Sequence, residues 1–137
     1  LVDDSEADLE LTRIMLIEQG RVRCNLLTAR DASEAMSALF DTGHPPVDLV
    51  LLDINMPGVD GLELLKRIRG VTALRDLPVV MCTTSGYDRD MEQAKSLGAT
   101  AYLQKPTDLE KLRPALDKIA HIHLAQSDRG YSIVRAA

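Results

Sequence analysis

The stretch Val47 to Gly61, VDLVLLDINMPGVDG, decides the fold that the sequence predicts. Its residues Leu49 to Leu52 form an unbroken apolar run, which has the length of a strand and is too short to span a membrane. A strand that is apolar on both faces is typical of the centre of a parallel sheet. The run ends at one carboxylate, Asp53. Open α/β sheets place their chemistry at the carboxyl ends of such strands, so Asp53 is the first candidate site residue.

Strand-like and helix-like segments alternate on both sides of this stretch. Two further apolar strands are predicted at Leu1-Val2 and Leu77 to Cys82, and two half-polar strands at Val22 to Thr28 and Thr100 to Gln104. A helical pattern follows each strand. This alternation predicts an α/β, flavodoxin-like (βα)5 fold with a five-stranded parallel sheet in the order 2-1-3-4-5 and helices on both faces. The half-polar strands are expected at the sheet edges.

Capping residues mark several of the predicted helices. Ser5 and Asp31 precede two of them, and Thr107 with Glu110 resembles a capping box before the last helix. Pro114 conflicts with that last helix because it lacks an N–H, so we expect a kink there or a main helix that starts near Pro114. Residues 121 to 137 have weak patterning and are expected to be the helix end and a loosely held tail.

Composition excludes some classes of function. The net charge is −5, with 16 basic and 21 acidic residues, and no basic cluster is present, so a nucleic-acid-binding surface is not expected. No run is apolar and long enough to predict a membrane span. Cys24 and Cys82 each lie in a strand-like run, which predicts two buried, reduced thiols and a cytoplasmic location.

Polar side chains follow the predicted strands at their carboxyl ends. Asp3 and Asp4 follow the first strand, Asp53 ends the third, Thr83 follows the fourth and Lys105 follows the fifth. Three converging carboxylates repel and raise one another's pKa, and a hard divalent cation relieves that conflict. Mg²⁺ is favoured because it prefers oxygen ligands and leaves room for a phosphoryl oxygen. With one Lys and one Thr, such a pocket suits a tetrahedral dianion beside a carboxylate nucleophile.

Each of these residues also has an ordinary structural explanation when taken singly. Asp3 and Asp4 would complement a helix dipole, and Asp53 is a common turn former. Thr83 would satisfy loop backbone, and Lys105 would be a solvated surface charge. These explanations predict no convergence of the side chains, whereas a phosphoryl-accepting site requires it.

At this point the sequence resembles the receiver domain of bacterial two-component response regulators. The matching pieces are Asp3-Asp4, the block Asp53 to Gly58 with Asp60-Gly61, Thr83, and Lys105-Pro106, in the order and spacing of that family. The resemblance implies that residues 1–122 form a receiver domain. We expect residues 123–137 to be a C-terminal tail, with no second domain.

The resemblance also implies roles for single residues. Asp53 would accept a phosphoryl group from a sensor histidine kinase, and Thr83 and Lys105 would bind the phosphoryl oxygens. The implied ligands of Mg²⁺ are Asp4, Asp53 and the backbone carbonyl of Asn55, with Asp3 acting through water.

Further implied features concern the switch and the backbone. Lys105-Pro106 is expected to be a cis peptide. Tyr102 matches an aromatic switch that turns inward with Thr83, although an aromatic residue on an edge strand needs no function. Ser85, like Asn55, would tune hydrolysis of the acyl phosphate.

The implied function is a phosphorelay module that switches protein contacts. Its partners would be a sensor histidine kinase, as in the single-domain regulators paired with bacterial phytochromes, and a downstream protein or phosphotransfer partner, with homodimerisation as a further output. Its only catalysis would be its own phosphotransfer and dephosphorylation. Two alternatives stay open: a receiver-like scaffold that is never phosphorylated, and a small Mg²⁺-dependent aspartyl-phosphate phosphatase. The second is disfavoured because Asn55 occupies the position where such phosphatases carry an acid.

Overall fold

The computed structural model describes residues 1–56, 58–84, 88–119 and 122–135. Within these ranges the strands are β1 (Val22–Arg23), β2 (Val50–Asp53), β3 (Val79–Thr83), β4 (Ala101–Gln104), β5 (Ile122–Ser127) and β6 (Gly130–Arg135). The helices are α1 (Glu6–Arg13), α2 (Ala32–Phe40), α3 (Gly61–Gly70), α4 (Asp88–Ser96) and α5 (Leu109–Asp117), with a π-helical segment (Ile14–Gln19) after α1 and a 3-10 turn (Thr72–Leu74) after α3.

The central sheet consists of β2, β3 and β4, which are parallel and lie in that order. All residues of β2 and β3 are buried, as the apolar sequence of these strands predicts. Asp53 pairs with Cys82, and Thr83 pairs with Gln104. The carboxyl ends of the three strands therefore lie at one edge of the sheet, and the predicted α/β architecture with a parallel sheet is confirmed.

The segment before α1 extends this sheet by one residue. Val2 forms parallel bridges to Leu52 on one side and to Ala29 on the other. Its N–H donates to the carbonyl of Leu51 at 2.8 Å, and its carbonyl accepts from the N–H of Asp53 at 2.9 Å. Val2 thus lies between β2 and the chain near Ala29, so the residues that follow Val2 begin beside the end of β2.

The predicted five-stranded order 2-1-3-4-5 is not reproduced. The strands form two three-stranded sheets, β2-β3-β4 and β1-β6-β5. The predicted second strand is a strand only at Val22–Arg23, where it pairs with β6. The physical reason is a competing partner: Val22–Arg23 pairs with β6, and within the described residues this segment joins the central sheet only through the bridge from Ala29 to Val2. Cys24, predicted to be buried in that strand, is consequently exposed, whereas Cys82 is buried as predicted.

Side-chain caps start three helices, two of which, at Ser5 and Asp31, the sequence indicates. The side chains of Ser5, Asp31 and Asp60 each accept a hydrogen bond from the backbone N–H three residues ahead, at 3.2, 2.8 and 2.9 Å. The cap of Asp60 fixes the start of α3 directly after the loop that follows β2.

The predicted start of α5 is wrong. Asp108, not Thr107, caps this helix, by accepting from the N–H of Lys111 at 2.9 Å. Thr107 is buried instead and shares a side-chain hydrogen bond with Cys82. The helix begins at Leu109 and runs through Pro114, so of the two alternatives expected at Pro114 the one in which the main helix starts there is wrong.

The C-terminal residues are more ordered than the sequence pattern predicts. Strands β5 and β6 form an antiparallel hairpin with a two-residue connection, and β6 pairs in parallel with β1. The guanidinium of Arg113 lies 4.7 Å from the ring centre of Tyr131 and also donates a hydrogen bond to its hydroxyl, which ties the hairpin to α5. The loosely held tail is therefore corrected to a hairpin over residues 122–135.

Alternate side chains of β2 and β3 enter two core clusters on opposite faces of the sheet. Leu52 and Met81 belong to the cluster that α2 and α3 cover, and Leu51 and Val80 belong to the cluster that α5 and the hairpin cover. No helix in the described part of the chain is both long and apolar enough to cross a bilayer.

Candidate functional site

Asp53 lies buried at the carboxyl end of β2. Its backbone is fixed by the hydrogen bond to Val2, and its Oδ1 accepts from the N–H of Asn55 at 3.3 Å. Its side chain is 6% exposed, so one carboxylate at the sheet edge is nearly removed from water. Burial makes the charged form of Asp53 costly unless positive charge lies close by.

Two more carboxylates lie beside Asp53. One oxygen from each of Asp3, Asp4 and Asp53 lies within 4.8 Å of the other two. Asp3 is buried and accepts from the N–H of Ser5 at 3.0 Å, whereas Asp4 is exposed. The three carboxylates expected at this edge of the sheet therefore lie close together.

The ammonium group of Lys105 lies among these acids. Its Nζ is 2.5 Å from Asp3 Oδ2, 3.0 Å from Asp8 Oδ2 and 3.5 Å from Asp53 Oδ1. The backbone N–H of Lys105 donates to the carbonyl of Thr83 at 2.6 Å, which holds the end of β4 against β3. The Lys105-Pro106 peptide bond is cis.

The pKa values in this cluster shift in the directions that burial and charge require. Burial raises the pKa of Asp53 to about 6; Lys105 opposes this rise and the charge of Asp3 adds to it. Burial also opposes the charged form of Lys105, but the hydrogen bonds to Asp3 and Asp8 and the charge of Asp53 outweigh it and raise the pKa of Lys105. Near neutral pH the ammonium of Lys105 thus stays charged, while the pKa of Asp53 lies only about one unit below neutrality.

The hydroxyl group of Thr83 links the loop after β2 to β4. The Nδ2 of Asn55 donates to Thr83 Oγ1 at 3.2 Å, and a side-chain hydrogen bond links Thr83 to Tyr102. Thr83 is completely buried, and Tyr102 is partly buried against the core. A chain of polar contacts therefore runs from the loop after β2, through Thr83, to the aromatic side chain on β4.

A glycine allows α3 to approach the end of β2. A Cβ at Gly61 would lie 2.0 Å from the carbonyl oxygen of Asp53 and 2.8 Å from its carbonyl carbon. The N–H of Gly61 also donates to the carbonyl of Ile54 at 2.9 Å. The position of Asp53 thus depends on the absence of a side chain at Gly61.

The donor set is suited to a hard divalent cation. Three carboxylates supply oxygen ligands, and the raised pKa of Asp53 reports repulsion and burial that a cation would relieve. The described residues of this cluster offer no thiolate or imidazole, so the chemistry of the set favours Mg²⁺ or a similar cation over zinc or copper.

The structure brings most of the predicted site residues into contact or near contact: Asp3, Asp4, Asp53, Asn55, Thr83, Tyr102 and Lys105. Ser85, the second predicted tuning residue, lies outside the described residues. Sequence reasoning did not single out Asp8, whose Oδ2 lies 3.0 Å from the Nζ of Lys105. Its place in the first turn of the helix that follows Asp3 and Asp4 was the signal that could have revealed it.

The raised pKa of Asp53 gives a pH-dependent stability. Because the folded pKa lies above the ordinary value of 3.8, the folded state binds more protons than the unfolded state between about pH 4 and 6. The contribution of Asp53 to the free energy of unfolding should therefore fall by about 1–3 kcal/mol as pH rises through this window in cation-free buffer. Urea unfolding of the unsubstituted chain and Asp53→Asn at several pH values isolates this contribution. Parallel pH profiles for the two proteins would contradict it.

Comparison with known proteins gives one family over most of the chain. The family described as response regulator receiver domain matches residues 1–117. The matched region contains all the site residues named above.

Individual relatives agree with this match. The chain is 35% identical to "Response regulator Rcp1" of Synechocystis sp. (strain ATCC 27184 / PCC 6803 / Kazusa) over 82% of this chain and 78% of that protein. A solved structure of the bacteriophytochrome response regulator AtBRR matches with a TM-score of 0.76 at 35% identity, over 86% of this chain and 88% of that one. A structure of Rcp1 in its Mn(2+)-bound form matches with a TM-score of 0.67 at 35% identity, over 81% and 82% of the two chains.

Proposed function

The chain belongs to the response regulator receiver domain family, and we propose that Asp53 is the carboxylate through which it accepts a phosphoryl group from a sensor histidine kinase. The observation that carries this proposal is the position of Asp53. It is buried at the end of β2, with two further acids within 4.8 Å and an ammonium group at 3.5 Å.

The proposed transfer uses Asp53 as the nucleophile. An Asp53 carboxylate oxygen attacks the phosphorus of a phosphohistidine, a P–O bond forms, and the P–N bond breaks with its electron pair returning to the imidazole nitrogen. Asp53 must be ionised to attack, so its raised pKa makes the reaction slower below about pH 6.

The residues around Asp53 fit a cation that assists this step. Asp3, Asp4, Asp53 and the backbone carbonyl of Asn55 would hold Mg²⁺, with Asp3 acting through water. When bound, Mg²⁺ supplies positive charge that balances the carboxylates and the incoming phosphoryl oxygens. The Mn(2+)-bound structure of the relative Rcp1 supports a divalent cation at this kind of site.

Lys105 and Thr83 respond to the phosphoryl group in this proposal. The ammonium of Lys105 moves the short distance from the acids to a phosphoryl oxygen, and Thr83 turns its hydroxyl group toward another. Thr83 then gives up its present hydrogen bonds, including the one to Tyr102. Tyr102 repacks, and the surface formed by α4, β4 and α5 changes its affinity for partners.

The partner proposal follows the relatives. Similarity to a bacteriophytochrome response regulator supports a phytochrome-type histidine kinase as the phosphoryl donor. The output is a contact with a downstream protein, a phosphotransfer partner or a second copy of the chain, in the cytoplasm. Catalysis is limited to transfer onto Asp53 and hydrolysis of the resulting acyl phosphate.

Labelling with a small phosphoryl donor tests the assignment of Asp53. Intact mass measurement after incubation with acetyl phosphate and Mg²⁺ is expected to find one added phosphoryl group. Asp53→Asn should abolish it, because an amide is not a nucleophile at this position. Asp41→Asn is the matched control, since Asp41 is exposed at the end of α2 and should leave labelling unchanged.

Two outcomes would count against the proposal. Labelling that persists in Asp53→Asn would move the acceptor to another residue. An unsubstituted chain that neither labels nor binds beryllofluoride would favour the unphosphorylated scaffold instead.

A further inference from the structure

The carboxylate of Asp8 lies closer to Lys105 than the carboxylate of Asp53 does. Asp8 Oδ2 is 3.0 Å from the ammonium nitrogen, whereas Asp53 Oδ1 is 3.5 Å from it. With Asp3 at 2.5 Å, three acids surround one ammonium group that has three N–H donors. The ammonium group therefore donates hydrogen bonds to Asp3 and Asp8 and forms an ion pair with Asp53 before any phosphoryl oxygen arrives.

Asp8 stands apart from the acids that would hold the cation. The cluster that brings its oxygens within 4.8 Å of one another contains Asp3, Asp4 and Asp53 among the described residues, and not Asp8. Asp8 lies in the first turn of α1, where its N–H donates to the cap Ser5 at 3.2 Å. Its side chain is 39% exposed, so it flanks the pocket from the solvent side and is held there by the helix.

We propose that Asp8 is a positioning residue that competes with the phosphoryl group on Asp53 for the ammonium of Lys105. This inference rests on the proposed function. When the cation engages Asp3 and Asp53, Asp8 remains as the carboxylate that holds Lys105 at the solvent side. To bind a phosphoryl oxygen, Lys105 must share or leave its contact with Asp8, which makes the phosphorylated state less stable.

The negative charge of Asp8 also makes the phosphorylated state less stable. A phosphoryl group is anionic, and a carboxylate close to its binding place repels it. Loss of the Asp8 charge is therefore expected to tighten the binding of a phosphoryl analogue. Damage to the fold would weaken that binding, so the sign of the effect separates the two explanations.

The test measures the affinity of the Mg²⁺-saturated chain for beryllofluoride. Binding is detected as a shift of the backbone amide signal of Thr83 in NMR spectra. Asp8→Asn is expected to bind beryllofluoride about three- to tenfold more tightly than the unsubstituted chain. Asp8→Glu restores the charge and should return the affinity toward that of the unsubstituted chain.

Glu6→Gln is the matched control. Glu6 lies in the same first turn of α1 and carries the same charge, but it contacts the exposed Arg30 at 2.6 Å and not Lys105. Both substitutions remove one negative charge from the N-terminal turn, so their effects on helix stability are similar. We expect beryllofluoride affinity to change less than twofold in Glu6→Gln.

The outcomes separate this inference from the function on which it rests. If the unsubstituted chain binds beryllofluoride and Asp8→Asn binds equally or more weakly, the role of Asp8 is overturned and the function of Asp53 stands. Equal tightening in Asp8→Asn and Glu6→Gln would assign the effect to net charge and also overturn it. An unsubstituted chain that binds no beryllofluoride would overturn both.

Discussion

Lys105→Met is expected to lower the free energy of unfolding by about 3 kcal/mol at pH 7 in cation-free buffer. The substitution keeps an unbranched apolar stem but removes the ammonium that lies within 3.5 Å of Asp3, Asp8 and Asp53. Without the ammonium, the charges of Asp3 and Asp53 would lose their ionic partner, and this loss is costly because both carboxylates are buried away from water. The measurement is urea unfolding of both proteins under identical conditions.

Two conditions should reverse most of this loss. Saturating Mg²⁺ returns positive charge to the acids, and lowering the pH toward 5 protonates Asp53, whose pKa rises further without Lys105. Lys95→Met, which removes an exposed lysine from α4, should change stability by less than about 0.5 kcal/mol. A Lys105→Met variant as stable as Lys95→Met would show that the ammonium is not needed to hold the acids.

Gly61→Ala is expected to lower the free energy of unfolding by about 1–3 kcal/mol or more and to impair phosphoryl labelling of Asp53. The new methyl group would meet the carbonyl oxygen of Asp53 at 2.0 Å, so β2 and α3 must separate. Both elements are anchored by buried side chains, including Leu52 and Leu64, which are fully inaccessible to solvent. The strain therefore falls on the backbone that positions Asp53. Thermal unfolding and acetyl phosphate labelling measure the two effects.

Gly70→Ala is the control, and we expect it to leave stability unchanged or to raise it. Gly70 ends the same helix, and a Cβ there would meet nothing within 4 Å. Alanine is favoured over glycine in helices, so this substitution should be neutral or stabilise by up to about 1 kcal/mol. A Gly61→Ala variant that behaves like Gly70→Ala would contradict the close approach of α3 to β2.

The sequence predicted the central strands and the convergence of Asp53, Thr83 and Lys105 well, because both rest on strong local signals. Runs such as Leu49 to Leu52 are apolar on both faces, and their short length and the turn-forming residues that follow favour a buried parallel strand over a helix. The convergence of the polar residues at the strand ends then follows from parallel geometry, once the strands are predicted to be neighbours in one sheet.

The missed features depend on contacts between segments that are distant in sequence. Val22 to Thr28 has strand-like composition, but only Val22–Arg23 forms a strand, and its partner is β6, about a hundred residues away. The hairpin is stabilised by pairing with β1 and packing on α5, and its apolar Leu124 and Ile133, which pair across the two strands, give only a weak pattern in the sequence. The contact of Asp8 with Lys105 joins residues 97 positions apart, which sequence spacing does not reveal.

The pairing of β6 with β1 also bears on how this molecule folds. It joins segments about a hundred residues apart, as in the hydrogen bond from Arg21 to Asp128 across 107 positions, yet its register covers only two residue pairs. Closing so long a loop costs entropy that two residue pairs offset only in part. The hairpin therefore depends also on its packing against α5 and the core cluster, through Ile122, Leu124 and Ile133.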